Sequence, residues 1–400
     1  MAPVSGRIPA GGAPAPRFRA LPPLSLYIHI PWCVRKCPYC DFNSHEARGD
    51  LPEPRYIAAL LADLEAALPL IWGRRIYTVF FGGGTPSLLS AAGIEEILAA
   101  IRARVPLATD AEITLEANPG TAEAEKFRAF RAAGVNRLSL GIQSFNPAHL
   151  TALGRIHDDR EARSAIGFAR DHFDNFNLDL MYGLPRQSVD DALRDIRTAL
   201  EFAPPHLSAY HLTIEPNTYF HRHPPALPDD DEAAGMQQAV EDALGAAGYR
   251  HYETSAFALP GRQSRHNMNY WTFGDYLGIG AGAHSKISFP DRIRRQMRFR
   301  QPAQYMEHAL NDSAVQEEHD VVANDIGFEF MMNALRLNNG FALVLFEERA
   351  GIPLTPLLKR LDTAEQRGLI SRDHQRIEPT ALGRRFLNDL LQIFLPETAS

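Results

Sequence analysis

LYIHIPWCVRKCPYCDF, residues 26–42, runs from an apolar strand pattern directly into every cysteine the chain owns. LYIHI reads as a buried strand. The loop behind it carries Cys33, Cys37 and Cys40 in the spacing C-x3-C-x2-C. Three thiols on one tight loop are too few to fill a four-ligand metal site. Pairing any two would close a tiny ring and leave one over, so reduced thiols in a cytoplasmic setting are expected rather than a secreted disulfide framework. Two ligand sets stay open on the residues alone. One is zinc with His45 as the fourth ligand. The other is three irons of a [4Fe–4S] cluster, whose fourth iron a small molecule chelates.

Outward from this strand the chain alternates. Short apolar runs at 26–30, 78–81, 113–117, 137–141, 176–181 and 206–213 are separated by helical spacing at 54–68, 91–104, 122–133, up to about 172, and 189–202. Six strand–helix units predict right-handed crossovers and a parallel sheet, curved into a partial (β/α)6 TIM-like barrel; an open doubly wound sheet is the other arrangement. In either fold ligands gather at the carboxyl ends of the strands. The polar oddities fall there: the cysteines after strand one, FGGGTPS (81–87) after strand two, Glu116 and Asn118 at the end of strand three, Gln143 and Ser144 after strand four, Asp179 in strand five, and Thr213 and Glu215 after strand six.

The glycines of FGGGTPS allow close backbone approach, and their N–H and C=O groups are expected to grip an ammonium and a carboxylate. Glu116 and Gln143 suit ribose hydroxyls. Arg155 suits a charge-assisted pair with a carboxylate. Asp179, an acid in an apolar strand, requires a partner.

The chain has 400 residues, 45% apolar and 22% charged, with a formal charge of −7. That balance is ordinary for a globular enzyme and offers no electrostatic footprint for nucleic acid. No apolar run of about 18 residues exists to span a membrane. Residues 1–22, rich in Pro, Gly and Ala, read as a disordered leader, because the prolines spoil the amphipathic helix of a transit peptide. The barrel with its site is expected over 23–220, and a barrel-completing segment over 221–320. A small winged-helix-like α+β domain is expected over 321–400, with helical patterns at 324–335, 342–350 and 355–368 and a hairpin in LISRDHQRIEPT. Its third helix carries both charge signs, which argues for a lid or docking module over DNA binding.

One further motif, HNMNYW (266–271), offers His266 as an imidazole for iron and Tyr270 and Trp271 as flat faces for a porphyrin; on chemistry alone a loop with core aromatics is the simpler reading. His29 and His284 are rival histidines.

Together these motifs resemble the radical S-adenosylmethionine (SAM) superfamily. Within it they resemble the oxygen-independent coproporphyrinogen III oxidase-like group, which includes the HemW-type haem chaperones. LYIHIPWCVRKCPYCDF, FFGGGTPS, TLEANP, RLSLGIQSF, LGRIH, LDLMYGLP, HNMNYW and GIGAGAHS carry the likeness. It implies that Cys33, Cys37 and Cys40 ligate a [4Fe–4S] cluster and that SAM chelates the unique iron. It also implies that Tyr27, Gly83, Gly84, Thr85, Glu116, Gln143, Arg155 and Asp179 hold SAM, with Tyr39 against the adenine. In active members the reduced cluster splits SAM into methionine and a 5′-deoxyadenosyl radical. Members that decarboxylate porphyrinogens carry a fourth cysteine two residues after the third, where this chain has Phe42. That difference favours the haem-chaperone sub-family, in which an HNxxYW motif is linked to haem binding. The implied partners are haem and an acceptor protein, with membrane contact only through the acceptor. Radical chemistry and porphyrinogen decarboxylation remain the alternative.

Overall fold

The computed structural model describes residues 15–121, 124–311 and 313–396. Six parallel strands stand side by side: β1 (Leu24–Ile30), β2 (Ile76–Gly83), β3 (Leu107–Ala117), β4 (Arg137–Gln143), β5 (Phe176–Tyr182) and β6 (His206–His211). Both faces of these strands are covered, as parallel strands require. On β1, Leu24, Leu26, Ile28 and Ile30 join a core with Tyr56, Ile57, Leu60 and Leu64 of helix α1 (Glu53–Ala67). The alternate residues Ser25, Tyr27 and His29 face the lumen, which is unusually polar. Thr78 donates to Ser25 (2.7 Å), Asn177 donates to Ser139 (2.8 Å), and Ser208 donates to Asn177 (3.1 Å).

The crossover helices α2 (Ala91–Arg104), α3 (Ala124–Ala133), α4 (Asp159–His172) and α5 (Val189–Leu200) lie outside the sheet. Reciprocal capping boxes start α4 (Asp158 with Glu161) and α5 (Ser188 with Asp191), satisfying free N–H groups at each helix start. The acidic stretch at 229–232 caps α6 (Asp230–Ala246) in the same way.

The segment expected to complete the barrel extends the sheet at both edges instead. Next to β6 come β7 (Arg250–Glu253) and β8 (Ala256–Ala258), with β8 antiparallel to β6. Next to β1 comes β9 (Asp275–Ile279), parallel to it, followed by antiparallel β10 (His284–Phe289), β11 (Arg292–Arg298) and β12 (Val315–Asp320). The two ends of this twelve-stranded sheet do not pair with each other. The edge strand β12 is blunted by charge, with Arg294 of β11 bridging Glu318 and Asp320 (3.0 and 2.9 Å). Helix α7 (Arg265–Trp271) lies across the amino-terminal ends of the lumen strands and forms its floor.

The C-terminal domain has its own core of Ile326, Phe330, Phe346, Leu361, Ile377 and Phe394. It is built from α8 (Ala323–Ala334), α9 (Leu343–Ala350), α10 (Leu358–Gln366) and a wing of Ile370–Arg372 against Arg376–Pro379, to which Phe341–Ala342 adds a third short strand. The final apolar stretch forms two short helices broken at Phe386.

The disordered-leader expectation is corrected at its end. Arg17 N–H donates to Gly351 O (2.7 Å), Phe18 N–H donates to Pro290 O (3.1 Å), and the Phe18 ring packs on the C-terminal core, so this strip ties that domain to the sheet extension. Residues 1–14 lie outside the described residues. Among the described residues no helix is long and apolar enough to cross a membrane.

One buried ion pair braces the barrel mouth. Asp63 of α1 and Arg298 of β11 meet at 3.2 Å with side chains 2% and 1% exposed. Asp63 also accepts from Gly280 N–H (3.2 Å) and Tyr305 O–H (3.0 Å). Removing one partner strands a buried charge, at a cost of about 3–5 kcal/mol. Asp63→Ala is therefore expected to lower apoprotein stability by that order in urea unfolding, and the apolar pair Asp63→Leu/Arg298→Met by clearly less. A double variant as unstable as the sum of the singles would refute the uncompensated-charge account.

Candidate cofactor and haem site

The cysteine loop folds over the carboxyl ends of β1 and β2. Its position is fixed by backbone: Gly84 N–H donates to Ile30 O and Thr85 N–H donates to Trp32 O, both at 2.7 Å. A β-carbon on Gly84 would lie 2.5 Å from Trp32 O, and one on Gly83 (φ +114°) would lie 2.6 Å from the His29 ring, so both positions require glycine. The expectation that these N–H groups hold a ligand is corrected. Gly84 spends its N–H on the end of β1, Thr85 spends its own on Trp32 O at the start of the cysteine loop, and Gly83 N–H donates to Glu116 Oε2 (3.2 Å).

All three thiols are free and partly exposed. Each sulfur has a polar neighbour. Arg155 Nη1 donates to Cys37 Sγ (3.5 Å), Ser44 Oγ lies 3.6 Å from Cys40 Sγ, and Thr85 reaches Cys33. Such donors tune and orient sulfur ligands. Among the described residues, no three His, Cys, Asp or Glu side chains converge on one position for a single metal ion. A cubane spreads its ligands over separate irons, and three partly exposed thiols flanked by donors on one mouth-facing loop fit that group.

The other mouth residues converge here too. Arg155 bridges elements: it donates to Gly141 O (2.7 Å), to Asn118 Oδ1 and to the cysteine loop, while Asn118 donates to Thr85 Oγ1 (3.0 Å). Gln143 adopts a left-handed φ of 68° where β4 bulges against β5, a strained turn of the kind held at functional sites. Tyr39 packs with Phe220 (6.4 Å between ring centroids) beside Leu153, Met181 and Leu212, and its hydroxyl reaches Cys37 and Arg155. Tyr27 lies deeper, its O–H 3.1 Å from His29 Nδ1.

Asp179 already has partners, accepting from Ser139 Oγ (3.0 Å) and Asn177 Nδ2 (2.8 Å). Burial raises its carboxyl above the usual carboxylate range despite these bonds. Burial, and then the neighbouring Asp179 charge, push Glu116 up to about 8. Two enclosed carboxyls beneath the cysteine loop, one with its proton retained, suit the hydroxyls and ammonium of a nucleoside carrying an amino-acid tail.

The HNMNYW residues go to the opposite end of the barrel. His266 is 2% exposed; its Nδ1 lies 2.8 Å from Thr78 Oγ1, its ring stacks on Phe80 (4.8 Å), and Tyr270 closes on it edge-on (5.1 Å). Burial, with help from the Arg137 charge, lowers its pKa to about 3, so the ring is neutral. Its Nε2 is buried and unpartnered, and protein walls it off from any haem outside the barrel. Glu112 accepts from the N–H groups of Arg265 and His266 and so anchors the start of α7. Tyr270 packs on Tyr276 (4.4 Å), and Trp271 lies under the Arg336 guanidinium (4.3 Å). These three residues form a packed floor in this conformation.

Residues 27–199 match the Radical SAM superfamily, and residues 322–386 match the HemN C-terminal domain. The chain is 50% identical over 379 residues to the heme chaperone HemW of Escherichia coli K12, covering 94% of this chain and 99% of that one. The chain belongs to the HemW family. The heme chaperone HemW of Haemophilus influenzae is 48% identical over 94% of this chain and 99% of its own. Among solved structures, the E. coli coproporphyrinogen III oxidase HemN, a radical SAM enzyme, superposes with a TM-score of 0.79 at 25% identity, covering 94% of this chain and 90% of that chain. The partial-barrel fold class and the HemW-family resemblance are both borne out.

Several residues that hold the site were not anticipated from sequence. Asn43 donates to Ala281 O and Arg300 O (both 2.9 Å) and accepts from His29 Nε2 (2.8 Å), locking the cysteine loop to the sheet extension. Phe220 N–H donates to Pro38 O (3.0 Å), laying the stretch after β6 over the cysteine loop. Neither has a motif, because each acts through a partner far along the chain.

The raised Glu116 pKa has a sign that can be tested. The folded apoprotein keeps a proton that the unfolded chain releases above its ordinary carboxyl pKa, so this residue makes stability fall as pH rises through about 4.5 to 8. Glu116→Gln is expected to gain stability relative to wild type across that window, read from urea midpoints at pH 5, 6.5 and 8. A difference that does not change with pH rejects the raised value.

Proposed function

We propose that the protein is a haem chaperone. It binds haem and passes it to an acceptor protein in the cytoplasm, with a [4Fe–4S] cluster on Cys33, Cys37 and Cys40 and exchangeable SAM as its resident groups. The observation that carries this reading is the end-to-end likeness to proteins named heme chaperone HemW, at 50% identity. The cluster assignment draws support from three free thiols with polar donors on one mouth-facing loop. The SAM assignment draws support from Gln143, Glu116, Asp179 and Arg155 grouped beneath that loop.

When bound, a three-thiolate cluster supplies an open iron for the amino and carboxylate groups of SAM and an electron for its sulfonium. The chain's own residues do the rest. Arg155 holds the Cys37 sulfur and ties it to strands β3 and β4. Glu116 and Gln143 orient ribose hydroxyls, Asp179 sets the polar wall beneath them, and Tyr39 with Phe220 keeps water from that side. Gly83, Gly84 and Thr85 contribute shape and carbonyls rather than free N–H groups. Phe42 stands where porphyrinogen-decarboxylating members of the group carry a further cysteine, which favours haem handling over decarboxylation.

Anaerobic reconstitution with iron and sulfide is expected to give four irons per chain and a brown absorbance that Cys33→Ala abolishes. Stoichiometric zinc, or an unchanged spectrum in the variant, overturns the cluster. Incubation with SAM, a reductant and coproporphyrinogen III is expected to leave the porphyrinogen unchanged; turnover to protoporphyrinogen would give the decarboxylase reading the field.

A further inference from the structure

Below the mouth carboxyls the lumen holds a line of buried polar side chains that the functional reading leaves unused. Asn177 of β5 and His206 of β6 are strand-pair neighbours, and both are buried. Asn177 Nδ2 donates to Asp179 Oδ1 and to Ser139 Oγ (both 2.8 Å), and the Ser139 hydroxyl donates to Asp179 Oδ2 (3.0 Å). With its amide nitrogen turned to Asp179, Asn177 presents Oδ1 to His206 Nδ1 at 2.6 Å. Ser208 Oγ donates to the same oxygen (3.1 Å). On the far side of the ring, His206 Nε2 lies 2.8 Å from the Tyr252 hydroxyl, whose oxygen accepts from Ser264 N–H (3.3 Å).

These contacts fix where the protons sit. Burial, and then the Arg137 charge, lower the His206 pKa well below its ordinary value, so the ring is neutral and carries one N–H. A carbonyl oxygen only accepts, so that N–H is on Nδ1 and points at Asn177. Nε2 is then an acceptor and takes the Tyr252 hydrogen. Donors run one way, from Ser264 through Tyr252, His206 and Asn177, and end on Asp179. A line of this polarity, with the Ser139 hydroxyl added at its end, favours a carboxylate there.

The groups around Asp179 agree with that charge. Burial raises its pKa, and the Asn177 and Ser139 donors and the Arg137 charge of β4 oppose the rise. Glu116 of β3 accepts only the Gly83 N–H at this wall, and it is the carboxyl that burial and the Asp179 charge push up to about 8. Tyr210 is the further titratable neighbour, on β6. Of the two carboxyls, Glu116 keeps the proton and Asp179 the charge.

A fixed negative charge in a lumen of low dielectric discriminates between ligands by their own charge. SAM carries a sulfonium cation; S-adenosylhomocysteine, which lacks its methyl group, carries a neutral thioether. We propose that His206 is a positioning residue for the SAM site: acting through Asn177, it keeps Asp179 ionised and so selects the sulfonium ligand over the neutral thioether. No bond is made or broken. The proposal rests on the SAM-binding reading and adds to it the residue that sets the charge of the pocket.

The test is anaerobic equilibrium dialysis of SAM and of S-adenosylhomocysteine against the cluster-reconstituted full chain at pH 6.5, where Glu116 keeps its proton. His206→Phe fills the ring volume and removes both hydrogen bonds. It is expected to lose about tenfold in SAM affinity with S-adenosylhomocysteine affinity unchanged, the same loss of preference as in Asp179→Asn. His206→Gln offers Asn177 a new N–H donor and is expected to recover the preference. Cluster absorbance and far-UV circular dichroism report folding, and retained S-adenosylhomocysteine binding reports an intact pocket. Equal losses for both ligands, no loss for either, an unselective His206→Gln or a wild type without preference for SAM each overturn the proposal. Should His206→Phe fail to hold its cluster, Tyr252→Phe decides: it frees the His206 tautomer, and an unchanged preference for SAM overturns the proposal. If wild type binds neither ligand, the SAM reading itself fails.

Discussion

Two backbone hydrogen bonds, Gly84 N–H to Ile30 O and Thr85 N–H to Trp32 O, hold the cysteine loop on the glycine loop, and the mouth of the barrel depends on them. They make three thiols on an otherwise loose loop part of the parallel sheet. They also explain the glycines. A side chain at residue 83 or 84 would collide with His29 or with the Trp32 carbonyl and lift the loop away. From this seam the restraint spreads outward. His29 reaches Asn43, Asn43 reaches residues 281 and 300, and Tyr56 donates to His29 O (2.7 Å) while accepting from Ala281 N–H (3.0 Å). Beneath these groups the Asp63–Arg298 pair fixes Gly280. Positioning of this kind costs little at the moment of ligand binding, because the groups are already ordered.

The parallel strands were legible because each is an apolar run covered on both faces and bounded by a turn; β1 and β5 fall within a few residues of the expected spans. The gathering of Glu116, Gln143 and the cysteines at one edge was legible from topology alone, since right-handed crossovers put all strand ends of one sense together. The sheet extension was not. Strands β10 to β12 carry alternating charge, with Arg292, Arg294, Arg295, Glu317 and Glu318 in short succession, and their stability comes from cross-strand ion pairs that no local pattern announces. The partner of Asp179 was hidden for a similar reason: Ser139 and Asn177 are ordinary polar residues until strand pairing brings them to it.

HNMNYW shows how a motif's chemistry and its placement diverge. Taken as side chains, histidine, tyrosine and tryptophan suit a porphyrin. In the fold they belong to α7, whose N-terminus is anchored by Glu112 and whose apolar side meets Phe80 and Tyr276. A parallel barrel with a polar lumen must be closed at the amino-terminal end, or water would reach Thr78, Asn177 and His206 and compete for their hydrogen bonds. His206 is held by Asn177 on one nitrogen and Tyr252 on the other, and Tyr252 in turn accepts from Ser264 N–H at the cap of α7. The motif is therefore tied to the lumen network, and changes in it reach the mouth through Tyr27, which stands between His266 and His29.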